Sequence, residues 1–171
     1  MVKGKDLFGI PQDGSAKHPP VQSIFDVVSF RLSRLVGINA RTKQDWLQRL
    51  FGLSLNEWWI LGVTRARGPL RLGDLAEVLA MDKSQLTRVS RALLDRKLIK
   101  SRPDPADSRA VVVRLSKKGR ALHDDVMAEV LRRNETVLKP LEPQEIVILS
   151  ELLDRLIVHN AGLPSQMAEQ G

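Results

Sequence analysis

The chain has 171 residues, 43% of them hydrophobic and 27% charged, with a net charge of +7 and no cysteine. That length holds one domain with a core, or a small head flanked by helices, rather than two enzymatic domains. The missing thiols exclude disulfides, thiolate catalysis and zinc-thiolate sites, while the positive charge favours a polyanionic partner.

Residues 1–20 combine lysines, prolines and glycines without periodicity and read as a flexible arm. From Val21 the apolar residues Val21, Ile24, Phe25, Val28, Leu32, Leu35 and Val36 recur every three or four positions, which predicts a helix from 21 to about 44. Ser54 and Glu57 have the spacing of a capping box, so a second helix starts there, carries Trp58, Trp59 and Leu61, and stops at Arg67-Gly68-Pro69. A two-turn helix is expected over 72–79. Asp82 then caps a further helix that runs to about Arg96.

Two strand-like runs, 98–102 and 110–115, flank a turn-rich tip and predict a hairpin. Alternation puts Val111, Val113 and Leu115 on one face of its second strand and Val112 and Arg114 on the other. Ser116 caps a long helix that stops before Pro140. A last helix starts near Glu142 and repeats Ile146, Leu149, Leu153 and Leu156, and a frayed tail covers 161–171. No apolar run reaches the roughly 18 residues of a membrane span and the N-terminus lacks a signal-peptide core, so a soluble, cytoplasmic protein with no membrane partner is expected.

The informative stretch is 71–115: short helix, tight turn, second helix, hairpin. It holds ten basic and six acidic residues, so its net charge is +4 of the total +7. On the helix after Asp82, Leu86, Val89 and Leu93 form an inward stripe, while Lys83, Ser84, Gln85, Thr87, Arg88 and Arg91 gather toward the outer, N-terminal side. Arginine pairs bidentately with guanine, glutamine pairs with adenine, and hydroxyls reach phosphates or bases, so these residues suit a DNA major groove. At the hairpin tip, Asp107 is expected to orient Arg109 through a charge-assisted hydrogen bond for insertion into a minor groove. A solvated amphipathic helix explains the polar face alone; the basic hairpin beside it favours DNA binding.

The runs Met81-Asp82-Lys83-Ser84-Gln85-Leu86-Thr87-Arg88 and Leu98-Ile99-Lys100-Ser101-Arg102-Pro103-Asp104-Pro105-Ala106-Asp107-Ser108-Arg109, followed by Leu115-Ser116-Lys117-Lys118-Gly119, closely resemble the MarR family of transcriptional regulators. The fold class is then mainly α with a small β-hairpin wing: a winged helix-turn-helix head over about 54–116, with dimerisation helices over about 21–47 and 117–160, all in a single unit spanning 21–160. The resemblance implies a homodimer on a pseudo-palindromic double-stranded DNA operator, with repression relieved by a small ligand. It places Ser84, Gln85, Thr87, Arg88 and Arg91 at the groove and Arg109 at the wing tip. Lys97 departs from the family, which usually has glycine there; the lysine must take a left-handed conformation or end the helix differently.

The resemblance also implies a cleft for small aromatic or phenolic acids, for which Arg31 or His123 would supply counter-charge and Phe30, Trp58 and Trp59 apolar walls. Trp58 and Trp59 are adjacent on one helix and cannot both face one core. The three histidines have no metal-ligand spacing, and no cofactor is expected. An enzyme is not expected either, because there is no phosphate-cradling loop or motif-like nucleophile. The competing reading is a constitutive, architectural winged-helix protein without an effector.

Overall fold

The computed structural model describes residues 20–161, with Arg41 and Thr42 described by backbone alone. The expected arm and tail therefore lie outside the described residues except at Pro20 and Ala161. A 3₁₀ turn at Ile24–Asp26 precedes helix α1, Val28–Phe51. The first helix thus starts and ends later than its periodicity predicts. At the start, an Asp26 carboxylate oxygen accepts the Ser23 backbone N–H and hydroxyl, both at 3.0 Å, which closes a separate turn. Val27 follows with an extended ψ of 121°. At the far end, burial of Trp46 and Leu47 holds the helix together to Phe51, and Gly52 stops it with a left-handed φ of 61°.

Helix α2, Leu55–Arg67, begins as expected. The Ser54 hydroxyl accepts the Glu57 N–H at 3.2 Å, and the Glu57 carboxylate accepts the Ser54 N–H at 2.7 Å. Strand β1, Leu70–Arg71, and helix α3, Leu72–Leu79, lead to helix α4, Lys83–Asp95, whose cap is Asp82. Strands β2, Ile99–Pro103, and β3, Val111–Leu115, follow, then the long helices α5, Lys117–Leu138, and α6, Pro143–Ala161.

The expected hairpin is part of a three-stranded antiparallel sheet of order β1-β3-β2, in register Leu70↔Val113 and Ile99↔Leu115. At two residues, β1 is too short to show any period. Ile99, Val113 and Leu115 are buried on the inner face, while Val111, expected to join them, is 38% exposed at the outer end. Arg71, Lys100, Arg102 and Arg114 occupy the other face by register.

The described residues divide into two compact units at Arg120, with the division inside α5. The first is built on fully buried Leu53, Ile60, Leu61, Leu75, Leu93 and Leu98, each stabilising it by about 1.5–3 kcal/mol. In the second, His123 and Val126 on α5 are buried, whereas Ile148, Leu152, Leu156, Ile157 and Val158 on α6 are exposed. In the first unit, Ile24, Phe25, Val28, Leu35 and Val36 are exposed as well.

Behind α4 the chain turns sharply at Lys97. Of the two alternatives at Lys97, the protein takes the left-handed one, with φ at 59°. The Lys97 carbonyl accepts the Ser116 hydroxyl at 2.8 Å, and the same oxygen of Ser116 accepts the Gly119 N–H at 2.9 Å, capping α5. Gly119 is pressed so close that a Cβ there would lie 1.9 Å from the Leu98 carbonyl oxygen. Two substitutions should therefore act with opposite sign in urea unfolding followed by tryptophan fluorescence. Lys97→Gly should raise stability by about 1 kcal/mol by relieving the left-handed lysine. Gly119→Ala should lower it by about 3 kcal/mol, the upper end for overpacking.

Candidate nucleic-acid interface

Helix α4 has the two faces that its sequence predicts. Leu86, Ser90 and Leu93 are buried and Val89 half-buried, while Lys83, Ser84, Thr87, Arg88 and Arg91 are exposed and Gln85 half-buried. Asp82 begins the helix: its Oδ1 accepts the Gln85 N–H at 2.7 Å and the Ser84 hydroxyl at 2.6 Å. These bonds, the Ser84 hydroxyl foremost, hold the Asp82 carboxyl below its ordinary range, so the cap is charged at neutral pH.

The same bonds change what the helix offers outward. The Ser84 hydroxyl has given its one proton to Asp82, and the Thr87 hydroxyl gives its own to the Lys83 carbonyl at 2.7 Å. Each keeps only acceptor capacity, and an acceptor cannot bond a phosphate oxygen. The two hydroxyls expected to reach phosphates are therefore spent inside the helix. Arg88 and Arg91 have no hydrogen bond or ion pair with any described residue, so all five N–H donors of each guanidinium are available.

The hairpin tip is closed by its own bonds. The Asp104 N–H donates to the Ala110 carbonyl and the Ala110 N–H to the Asp107 carbonyl, both at 2.9 Å, and Asp104 Oδ1 accepts the Ala106 N–H at 2.8 Å. Asp107 does not orient the Arg109 guanidinium as expected. Its Oδ1 accepts the Arg109 backbone N–H at 3.0 Å, because a short carboxylate reaches the amide two residues on. The Arg109 side chain is exposed.

Sequence reasoning missed the residues that anchor this tip. Asp104 Oδ2 pairs with Nε of Arg71, which lies 33 positions earlier on β1. No local pattern announces a pair so distant, and the only sequence cue was an arginine between two leucines. The Ala106 N–H and the Arg71 guanidinium together hold the Asp104 carboxyl below its ordinary value near 3.8.

The five residues expected at an effector cleft are distributed as follows. Phe30 packs edge-to-face on Phe25 at 5.5 Å, and Arg31 is bonded to the Phe25 carbonyl and to Asp26. On α2, Trp58 is half-buried and Trp59 43% exposed, so the two do not share one core. His123, in the second unit, is buried with Nδ1 2.9 Å from the Asp124 carboxylate. A cleft found in the first unit is lined by none of the five. Among the described residues, no group of three His, Asp or Glu could hold a metal ion, and no helix is long and apolar enough to cross a membrane.

A family model described as MarR family matches residues 53–111, the span from the end of α1 to the start of β3. The chain is 36% identical over 89 residues to an uncharacterized HTH-type transcriptional regulator, YxaD, of Bacillus subtilis, covering 52% of this chain and 62% of that protein. It therefore spans a little under two thirds of the length of this curated relative. Two solved structures are similar over most of the chain. A probable transcriptional regulator from Pseudomonas aeruginosa is 30% identical with a TM-score of 0.66, covering 78% of this chain and 99% of that one. BpsR of Bordetella bronchiseptica, solved to explain regulation of its DNA binding by 6-hydroxynicotinic acid, is 26% identical with a TM-score of 0.62, covering 74% and 98%.

The wing tether has a defined pH window. A carboxyl held low in the folded protein contributes fully above its ordinary value and is lost only as the pH falls through the lowered one. Hydrogen-exchange protection over 104–110 is thus expected to be constant from pH 8 to 5. Asp104→Asn should lower it several-fold at pH 7 while leaving α4 unchanged; equal protection in the variant would show that the pair does not anchor the tip.

Proposed function

The chain belongs to the MarR family, and from that premise we propose that it is a sequence-specific regulator that binds a pseudo-palindromic double-stranded DNA operator as a homodimer. The observation that carries this reading is the pair of guanidiniums without a hydrogen bond to any described residue, Arg88 and Arg91, on the exposed face of α4, one turn apart and backed by the buried Leu86 and Leu93. Arg88 and Arg91 read guanine edges, Gln85 reads adenine, and Lys83 meets phosphate. The Ser84 and Thr87 oxygens accept from base amino groups, and Thr87 turns its methyl to thymine. Arg109 enters the minor groove from a tip shaped by Asp107.

The exposed apolar side chains of α1 and α6 support the dimer, because a second copy would remove them from water. Two-fold symmetry then sets the half-sites about 34 Å apart. Operator affinity measured by fluorescence anisotropy should fall by about 1–3 kcal/mol for Arg88→Ala and for Arg91→Ala, each with altered base preference. Wild-type binding equally tight to random duplex would instead favour an architectural protein without an effector.

Ligand control is the finer part of the proposal. The named regulation of BpsR by 6-hydroxynicotinic acid supports a small aromatic or phenolic acid as the effector, with Phe30, Arg31, Trp58 and Trp59 of the first unit as its contacts. A panel of aromatic carboxylates is expected to contain a compound that both raises the melting temperature and releases operator DNA. No response to any member at millimolar concentration would remove this ligand class.

A further inference from the structure

The base of the wing carries a second basic feature, separate from α4 and from the tip. A cleft of about 250 Å³ opens between the last turn of α2, the end of β3 and the first turn of α5. Gly68, Pro69 and Leu115 form its apolar walls, and its polar lining is Thr64 with three arginines, Arg65, Arg114 and Arg120. No carboxylate lines it.

Arg114 and Arg120 bring two like charges to one concavity with no carboxylate partner among the described residues, and the sheet adds a third. Arg114 lies directly across the ladder from Lys100, and like charges in that relation destabilise a strand pair. Neither side chain bonds to any described residue. Arg120 donates one bond, from Nη1 to the Leu115 carbonyl at 3.3 Å, which steadies its guanidinium at the cleft and leaves its other donors unused. Thr64 is only 2% exposed, and its hydroxyl has no hydrogen-bond partner, a rare state for a buried polar group. A solvated basic surface would account for Lys100 and Arg114 alone. It does not account for an open, carboxylate-free cleft backed by an unpaired hydroxyl.

We infer that this cleft binds a small organic anion, a phosphate or carboxylate carried on an apolar body, with Arg114 and Arg120 as its contacting cations. The volume lies just below the roughly 300–1,000 Å³ of sites for drug-sized ligands, so the ligand is a compact metabolite. A concave wall suits such a molecule better than it suits the convex backbone of a duplex.

Phenyl phosphate is the probe, added to the full chain at constant ionic strength set with potassium chloride. The melting temperature should rise saturably by a few degrees in the wild type, and the rise should vanish in Arg114→Gln, which folds because Arg114 makes no internal bond to lose. Arg120→Gln should weaken the response at least tenfold in apparent Kd, and Arg114→Lys should restore part of it. A rise equal in wild type and Arg114→Gln would be general exclusion from the protein surface and would overturn the proposal. So would the absence of any rise. Loss of operator affinity in Arg114→Gln, with no phenyl phosphate response in the wild type, would assign these arginines to the DNA backbone instead.

Discussion

The Glu57 carboxylate ties α2 to the end of α4 through Arg96, 39 positions further along the chain. One oxygen accepts the Ser54 N–H that begins α2, and the other pairs at 2.8 Å with Arg96, the residue that ends α4. Glu57 is 9% exposed, and Arg96 covers it from the surface. An exposed ion pair is worth at most about 1 kcal/mol, and breaking a fully buried one costs about 3–5 kcal/mol. This pair lies between those limits, because removing Arg96 would leave a nearly buried charge with only its backbone bond. The start of α2 is thereby fixed against the end of the helix that presents Arg88 and Arg91.

That anchoring explains why the next residue accepts an unfavourable conformation. With Arg96 held, the chain must reverse within a residue or two to bring Leu98 and Ile99 into the core, and the left-handed Lys97 makes the reversal. The gain from burying two large aliphatic side chains, about 1.5–3 kcal/mol each, exceeds the strain of about 1 kcal/mol. Ser116 and Gly119 then close on the same turn from the other side, one by accepting and donating hydrogen bonds, the other by having no side chain. Helix α4, the sheet and the first turn of α5 are in this way built around a single corner.

What could be read from sequence was local. The caps at Ser54, Asp82 and Ser116, the breaker at Gly68 and the two faces of α4 each depend on residues within four positions of one another, so spacing revealed them. The conformational demand at Lys97 was also legible as a departure from an expected glycine. Features closed by distant partners were not. Strand β1 forms only because β3 pairs with it, and Arg71 matters only because folding brings Asp104 to it. The true start of α1 was hidden for a different reason: the apolar period ran smoothly through a turn that Ser23 and Asp26 close with polar bonds. The hydroxyls of Ser84 and Thr87 were legible as outward-facing polar groups but not as donors already engaged, since rotamer choice leaves no trace in residue order.

The hydrogen bonds of the wing tip divide it from the rest of the protein. Its turn is satisfied from within residues 104–110, and its only recorded side-chain bond to the rest of the head is the Arg71 to Asp104 pair at its neck. Residues 105–109 thus behave as an interchangeable module on a fixed socket. A lineage could lengthen, shorten or recharge that loop without disturbing the sheet register or the corner at Lys97. Among proteins sharing this scaffold, the tip is free to diverge while the geometry of α4 stays the same.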